Sequence, residues 1–389
     1  MVDINLVSAI IFYFVIVFLI IKYRKKFIIQ AKIIALYKTK IGLKLIDKIA
    51  SSSPLVIKSL AGLGILFGYI GMIFISYMLI QGAYTLFTVP ESSPMIAPVL
   101  PGIKIPGSPV FVPFWYGIIS IFLVVLVHEA AHGIVARVHK MKIKSSGVGM
   151  FAIFPIAFVE PDENQLKKSK KRSQLSVYAA GPFANILLAA VVVLISIYLL
   201  IPFALSITDT SGVEIKQLEP NFPAEESGLV AGDIIYSING KSTMALENFT
   251  MILKDTSVNQ TITIKTAQDK TYTFRTTSSP ENASQSYIGV YIAQHLSLKP
   301  SVVEKYGNMF PWSLFYLIEL FQWIFFLSLG IGLANLLPLG PVDGGRMLLT
   351  TLSSFFKEEN AIKVWKQISI LTLVLLIFNF VYPYIRNLI

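Results

Sequence analysis

Residues 114–132 read FWYGIISIFLVVLVHEAAH, an apolar run ending in His128-Glu129-Ala130-Ala131-His132. The run has the composition of a membrane helix, so the polar motif lies at membrane depth. On a helix, residues four apart share a face, which lets both imidazoles reach one metal ion. Glu129 then stands beside that ion, where a carboxylate can take a proton from a bound water. Ionisable groups at this depth are costly and point to function. The alternative is a pair of core histidines that only pack. The chain has 4 histidines in 389 residues, and two of them flank this glutamate. Packed in an apolar setting without a metal, His-Glu-x-x-His would leave three polar groups seeking partners. Zinc binding is the better reading.

The composition agrees. The chain is 54% hydrophobic and 14% charged, with a mean hydropathy of +0.67. That excludes an ordinary soluble protein and predicts an α-helical polytopic membrane protein. The net charge of +11 would by itself admit a nucleic-acid partner. The basic residues, however, cluster beside apolar spans, as in cytoplasmic loops. Membrane lipid, and not nucleic acid, is therefore the expected partner of that charge. There are no cysteines, so any metal must use His, Asp or Glu.

Six spans are expected, at residues 4–21, 55–87, 114–138, 177–205, 311–337 and 368–382. The first has no basic segment before it and no small-residue cleavage site after it, so it reads as a retained helix. Arg24, Lys25, Lys26, Lys32, Lys38, Lys40, Lys44 and Lys48 follow it and mark a cytoplasmic loop. Alternation then places both termini outside and the Pro-rich stretch 88–113 outside. Arg137, His139, Lys140, Lys142 and Lys144 mark the cytoplasm after the third span, which puts the zinc motif toward that side. His139 shares the face of His132, but its basic surroundings suit an interfacial role. Residues 147–159 are apolar yet too short to cross, with Gly and Pro interruptions. They read as a re-entrant, β-like loop packed on protein or lining a wet cavity.

Residues 208–294 are polar and rich in short β-like runs at 213–218, 233–238, 261–266, 271–275 and 287–292. Short helices are expected at 224–227 and 245–253, and Asn239-Gly240 is a turn signal. This reads as a small α+β domain inserted between spans four and five, on the outside. The expected organisation is 1–113, with spans one and two; 114–207, the catalytic membrane core; 208–294, the inserted domain; and 295–389, with spans five and six.

A catalytic zinc site needs a third protein ligand. Spans three and five both descend toward the cytoplasm, and their inner ends carry the zinc motif and Asp343. Pro338 and Pro341 should stop the fifth helix, while Gly344 and Gly345 allow a tight turn that returns Asp343 to the metal. Glu160 is the second choice, since Pro161 and neighbouring charges suggest the membrane surface.

With these motifs in order, the chain resembles the site-2 protease family of intramembrane zinc metalloproteases. The resemblance rests on His128-Glu129-Ala130-Ala131-His132, on the stretch from Gly147-Val148-Gly149 to Glu163, on Gly181-Pro182-Phe183-Ala184-Asn185, and on Asn335 to Gly345. Val342 stands where the family usually has Leu, and Gly340 where it often has Pro. The resemblance implies one Zn2+ held by His128, His132 and Asp343. It also implies Glu129 as general base and Asn335 as a helper that steadies substrate or oxyanion. The substrate class implied is a membrane protein cut within or near a transmembrane segment. A substrate helix must unwind locally, and the β-like loop could pair with the unwound stretch. Gly147, Gly149, Ile153 and Asn185 are thus candidate substrate contacts.

The inserted domain resembles a PDZ domain of the circularly permuted, bacterial-protease type. The matching stretches are Pro223 through Ile235, Ile238-Asn239-Gly240, and Tyr287-Ile288-Gly289-Val290. Gly289 and Val290 would sit at a loop that receives a peptide C-terminus by strand addition. Two rival functions stand beside the protease: a zinc transporter, which needs polar residues along more spans, and a catalytically inactive PDZ scaffold, which would not require Glu129.

Overall fold

The computed structural model describes residues 4–30, 34–89, 92, 94–96, 98–105, 110–280 and 282–386. The expected outside loop at 88–113 falls partly outside them. Two compact units result, one of residues 1–196 with 318–389, the other of residues 197–317.

The first unit opens with helix α1 (Ile4–Lys22), strands β1 (Phe27–Gln30) and β2 (Ile34–Thr39), and helices α2 (Leu43–Ser52) and α3 (Pro54–Thr88). Helix α4 (Phe114–Val138) carries the His-Glu-x-x-His motif. A hairpin of β3 (Ile143–Phe151) and β4 (Phe154–Pro161) follows, then α5 (Glu163–Lys168) and α6 (Lys171–Ile195). Among the described residues, five helices are long and apolar enough to cross a membrane: Pro54–Thr88, Phe114–Val138, Lys171–Ser206, Met309–Asn335 and Glu358–Pro383. Helix α1 is a further apolar helix of 19 residues, about 28 Å long at 1.5 Å per residue. That is close to the hydrocarbon thickness of a bilayer. Large apolar side chains stay exposed along these helices, Phe14 at 71% and Ile73 at 72%, as lipid-facing surfaces require. The chain is a polytopic membrane protein.

The second unit takes up the continuation of α6 through a π turn and α7 (Ile201–Ser206). Its sheet combines β5 (Thr208–Leu218), β6 (Ile234–Ile238), β7 (Lys241–Ser242), β8 (Thr261–Thr266), β9 (Thr271–Arg275) and β12 (Val290–Leu298). Helices α8 (Pro223–Glu226) and α9 (Leu246–Lys254) and the short pair β10 (Thr277–Ser278) and β11 (Ser286–Tyr287) complete it, with α10 (Pro300–Tyr306) after the sheet. The alternating inward residues Val213, Ile215, Ile235, Ile262 and Ile264 form its core with Phe249 and Ile288. Strand β12 lies at one end of the sheet, where among the described residues it pairs with β5 alone. Helix α11 (Met309–Asn335) leads back to the first unit, which α12 (Asp343–Phe355) and α13 (Glu358–Arg386) close.

The extended segment at 147–159 is more than a loop. Strands β3 and β4 belong to a four-stranded antiparallel sheet in the order β1-β2-β3-β4. The basic loop expected after α1 supplies the other two strands. Gly147 pairs with both Lys38 and Phe158, and Gly149 with both Leu36 and Ile156. Strand β3 is therefore interior, with both edges used. The glycines are there because β2 lies close: a Cβ at Gly147 would strike the Tyr37 carbonyl, and one at Gly149 the Ala35 carbonyl. Gly147 and Gly149, the expected substrate contacts, have their backbones between β2 and β4. Ile153 lies in the turn between β3 and β4, beside Ala152 at φ 50°, so it too is off the pairing strand. Gly147→Ala should cost about 1–3 kcal/mol through this forced separation of strands. A lowered unfolding midpoint of the purified protein in detergent is the expected result.

Candidate metal centre

The site is built from α4, α6 and α12. One turn of α4 separates His128 from His132, and the buried rings stand edge to face with centroids 4.8 Å apart. Asp343 Oδ2 lies 3.1 Å from His128 Nε2 and 3.3 Å from His132 Nε2. One ligand atom from each of the three residues falls within 4.8 Å of the others. Asp343 is the first residue of α12. The chain leaves α11 at Asn335, and Pro338 and Pro341 occupy the break. Gly344 and Gly345 do not form a free turn. They begin α12, tight against the carbonyls of Leu336 and Leu339, where a Cβ would collide. A carboxylate at a helix N-terminus is also electrostatically favoured.

The distal ring nitrogens show whether these residues suit a metal. His132 Nδ1 lies 2.6 Å from the Val177 carbonyl oxygen. An oxygen there only accepts, so Nδ1 carries a proton, and in the neutral imidazole Nε2 keeps the lone pair a metal needs. His128 Nδ1 lies 3.1 Å from Asn185 Nδ2. Asn185 is fully buried, and its Oδ1 has no hydrogen-bond partner. The two ends of a carboxamide have nearly the same shape, so a half-turn places Oδ1 on His128 Nδ1–H. That exchange satisfies the orphaned oxygen and frees His128 Nε2 as well. Two neutral imidazoles and one carboxylate are a donor set for Zn2+. Ligand atoms on a tetrahedral zinc stand roughly 3.4 Å apart, close to the 3.1 and 3.3 Å separations of Asp343 Oδ2 from the two rings.

Helix α6 can come this close only at Gly181. A Cβ there would lie 2.5 Å from His128 Nε2 and would strike His132 Nε2 too. Pro182 lacks an N–H, so the Tyr178 carbonyl four residues before it, next to Val177, receives no helix hydrogen bond from it. Neither Gly181 nor the Val177 carbonyl is marked by the spacing of the zinc motif, although Gly181 stands in the Gly-Pro-x-x-Asn element.

A cavity of about 710 Å³ opens on the centre, lined by His128, Glu129, His132, Asn335, Asp343 and Arg346 among others. Glu129 Oε2 accepts a hydrogen bond of 3.1 Å from Val159 N–H. Asn335 borders the same cavity while its Nδ2 donates to the Ile331 carbonyl at 3.0 Å. Asn185, an expected substrate contact, meets His128 instead of facing this cavity. Glu160 is at the cavity rim, bonded to Lys38 Nζ and to the Ser145 hydroxyl, each at 2.6 Å. Lys38 and then Ser145 hold its carboxyl below the usual range. It is not part of the metal cluster. His139 Nε2 meets the Ser176 hydroxyl at 2.9 Å and is likewise outside the cluster. In the second unit, Gly289 has φ 78° and packs on Phe222, and Val290 begins the edge strand β12.

The comparisons with known proteins follow the same lines. The chain is 30% identical over 321 residues to an uncharacterized protein of Methanocaldococcus jannaschii, covering 80% of this chain and 76% of that one. It is 23% identical to "Probable protease eep" of Enterococcus faecalis, over 50% of this chain and 54% of the other. A crystal structure of the PDZ domain of the SdrC-like protein from Listeria monocytogenes matches 21% of this chain and 88% of its own, with 23% identity and a TM-score of 0.19. The model of peptidase family M50 matches residues 116–376. The chain belongs to peptidase family M50, the site-2 protease family.

Proposed function

We propose that this chain is an intramembrane zinc metalloprotease that hydrolyses peptide bonds within or near transmembrane segments of membrane-protein substrates. The observation that carries the reading is the triad of buried His128 and His132 with part-buried Asp343, and Glu129 on the same cavity. His128 and His132 would hold Zn2+ through Nε2, and Asp343 through Oδ2. When bound, zinc supplies a Lewis acid and brings the pKa of a coordinated water near neutrality.

Glu129 is the proton carrier. A carboxylate offers about four lone-pair sites, and the Val159 N–H takes only one. The rest can accept a proton from water and return it to the leaving amine. Asn335 reaches the cavity with an amide that can donate to a developing oxyanion. Asn185 and the Val177 carbonyl orient the two imidazoles and fix their tautomers.

Substrate backbone pairs with β4. This strand ends the sheet, and its Val159 N–H points off the free side toward Glu129. Because ladder bonding alternates, the Ala157 N–H points the same way. An unwound substrate strand laid along 155–159 therefore runs beside the proton carrier. In the second unit, Gly289, Val290 and the open edge of β12 can take a peptide C-terminus by strand addition, which serves substrate recognition or gating. The charge bias of the loops supports a metal toward the cytoplasm, with both termini and residues 208–294 outside.

Glu129→Gln should keep stoichiometric zinc and lower cleavage of a reconstituted single-span substrate by about 10²–10⁴-fold. Zinc analysis and fragment mapping by mass check this, and a chelator should abolish the wild-type cuts. Full cleavage by the variant would leave the protease assignment without its base.

Asn185→Ala should weaken zinc about 10–100-fold by removing the partner of His128. Gly181→Ala should also lower zinc occupancy, although alanine is the better helix former. Competition with a chromophoric chelator measures both.

Ala157→Pro removes an N–H that the sheet does not use, so the sheet should survive. Cleavage should fall at least about tenfold if that donor holds substrate. Unchanged cleavage with normal zinc content would exclude β4 as the substrate strand.

A further inference from the structure

Helix α2 (LKLIDKIASS) is joined to the membrane helix α3 through Ser53 alone. One stripe, Ile46 and Ala50, is buried against α4. There Ile46 Cδ1 would lie 3.2 Å from a Cβ at Gly133, and Asp47 pairs with Arg137 at 2.7 Å. A second apolar stripe is unoccupied. Leu45 and Ile49, four apart, are 60% and 38% exposed, and Ile41 in the preceding turn is 81% exposed. At about 100° per residue, this stripe lies between the packed stripe on one side and Lys44 with Lys48 on the other. Both lysines are exposed, and among the described residues neither has a carboxylate within ion-pair distance.

We propose that this face of α2 binds the anionic headgroup layer of the bilayer. Leu45 and Ile49 enter the boundary between headgroups and acyl chains, and Lys44 and Lys48 hold lipid phosphates. Three observations select lipid as the occupant. The exposed apolar surface continues directly into the start of α3, where Leu55 and Val56 are 80% and 58% exposed. The flanking charge is basic, as a negatively charged leaflet requires. The arrangement of an apolar stripe beside lysines is that of an interfacial amphipathic helix. This surface is independent of the proteolytic reading, since no residue of the metal centre takes part.

The chain contains no cysteine, so single spin labels can be placed cleanly at Leu45→Cys, Ile49→Cys and, on the polar side, Ser51→Cys. The full chain would be reconstituted in phosphatidylcholine vesicles with and without phosphatidylglycerol. Relaxation by oxygen would be compared with relaxation by a water-soluble nickel chelate. The ratio of oxygen to nickel accessibility should be at least about fivefold higher at 45 and 49 than at 51. It should rise with phosphatidylglycerol, and that rise should vanish in a Lys44→Gln, Lys48→Gln background. Circular dichroism of each variant verifies that the helices persist. A label at 45 as open to nickel as the one at 51 in both vesicles would overturn the proposal. So would shielding of 45 from both reagents, which indicates a protein contact, or an anionic-lipid response that survives loss of both lysines.

Discussion

Three ionisable side chains set among apolar helices, His128 and His132 buried and Asp343 part-buried, constrain the whole membrane unit. His128, His132 and Asp343 have little water to fall back on, so they must satisfy one another and a shared ligand. Every neighbouring element is placed by that need. Helix α6 must come into contact with the ring nitrogens, which requires Gly181. It must also present the Val177 carbonyl to His132. Helix α12 must begin at Asp343, which demands the break at Pro338 and Pro341 and the close seating of Gly344 and Gly345 on the preceding carbonyls. Fully buried Asn185 has one unpartnered oxygen, and the imidazole tautomer that frees Nε2 for a metal is the one that uses it.

Much of this was legible in the sequence where the signal is local. The bounds of α4 follow from an apolar run that starts after Pro113 and stops at basic residues. Strands β8 and β9 follow from alternation in Thr261–Thr266 and Thr271–Arg275. The adjacency of Asp343 to the zinc motif follows from counting spans, because two helices descending to the same side bring their ends to similar depth.

What the sequence concealed is what arises between distant segments. Strands β1 and β2 are short and beset by lysines, so they read as a juxtamembrane loop until β3 pairs with β2. The glycines at 147 and 149 signal close approach, but the approaching backbone belongs to β2 and not to a substrate. Helix α12 comes after two prolines and opens with two glycines, which locally indicate a turn. The contact of Asn185 with His128 joins positions 57 residues apart, and no spacing rule reaches that far.

Glu129 ties chemistry to strand. Its carboxylate bonds the backbone of β4 while facing the cavity, so a shift of β4 displaces that carboxylate. Helix α4 is also braced by α2 through Ile46 and the pairing of Asp47 with Arg137. The reactive half of α4 is thus held by α6, β4 and α2, and a site built on a braced helix keeps its geometry better than one built on a loop. With the enzyme side so fixed, the change of conformation that peptide hydrolysis requires falls on the substrate. A transmembrane helix hides its amides in its own hydrogen bonds. In the proposed reaction, pairing with the edge of β4 would replace some of the bonds lost on unwinding, beside the Glu129 carboxylate.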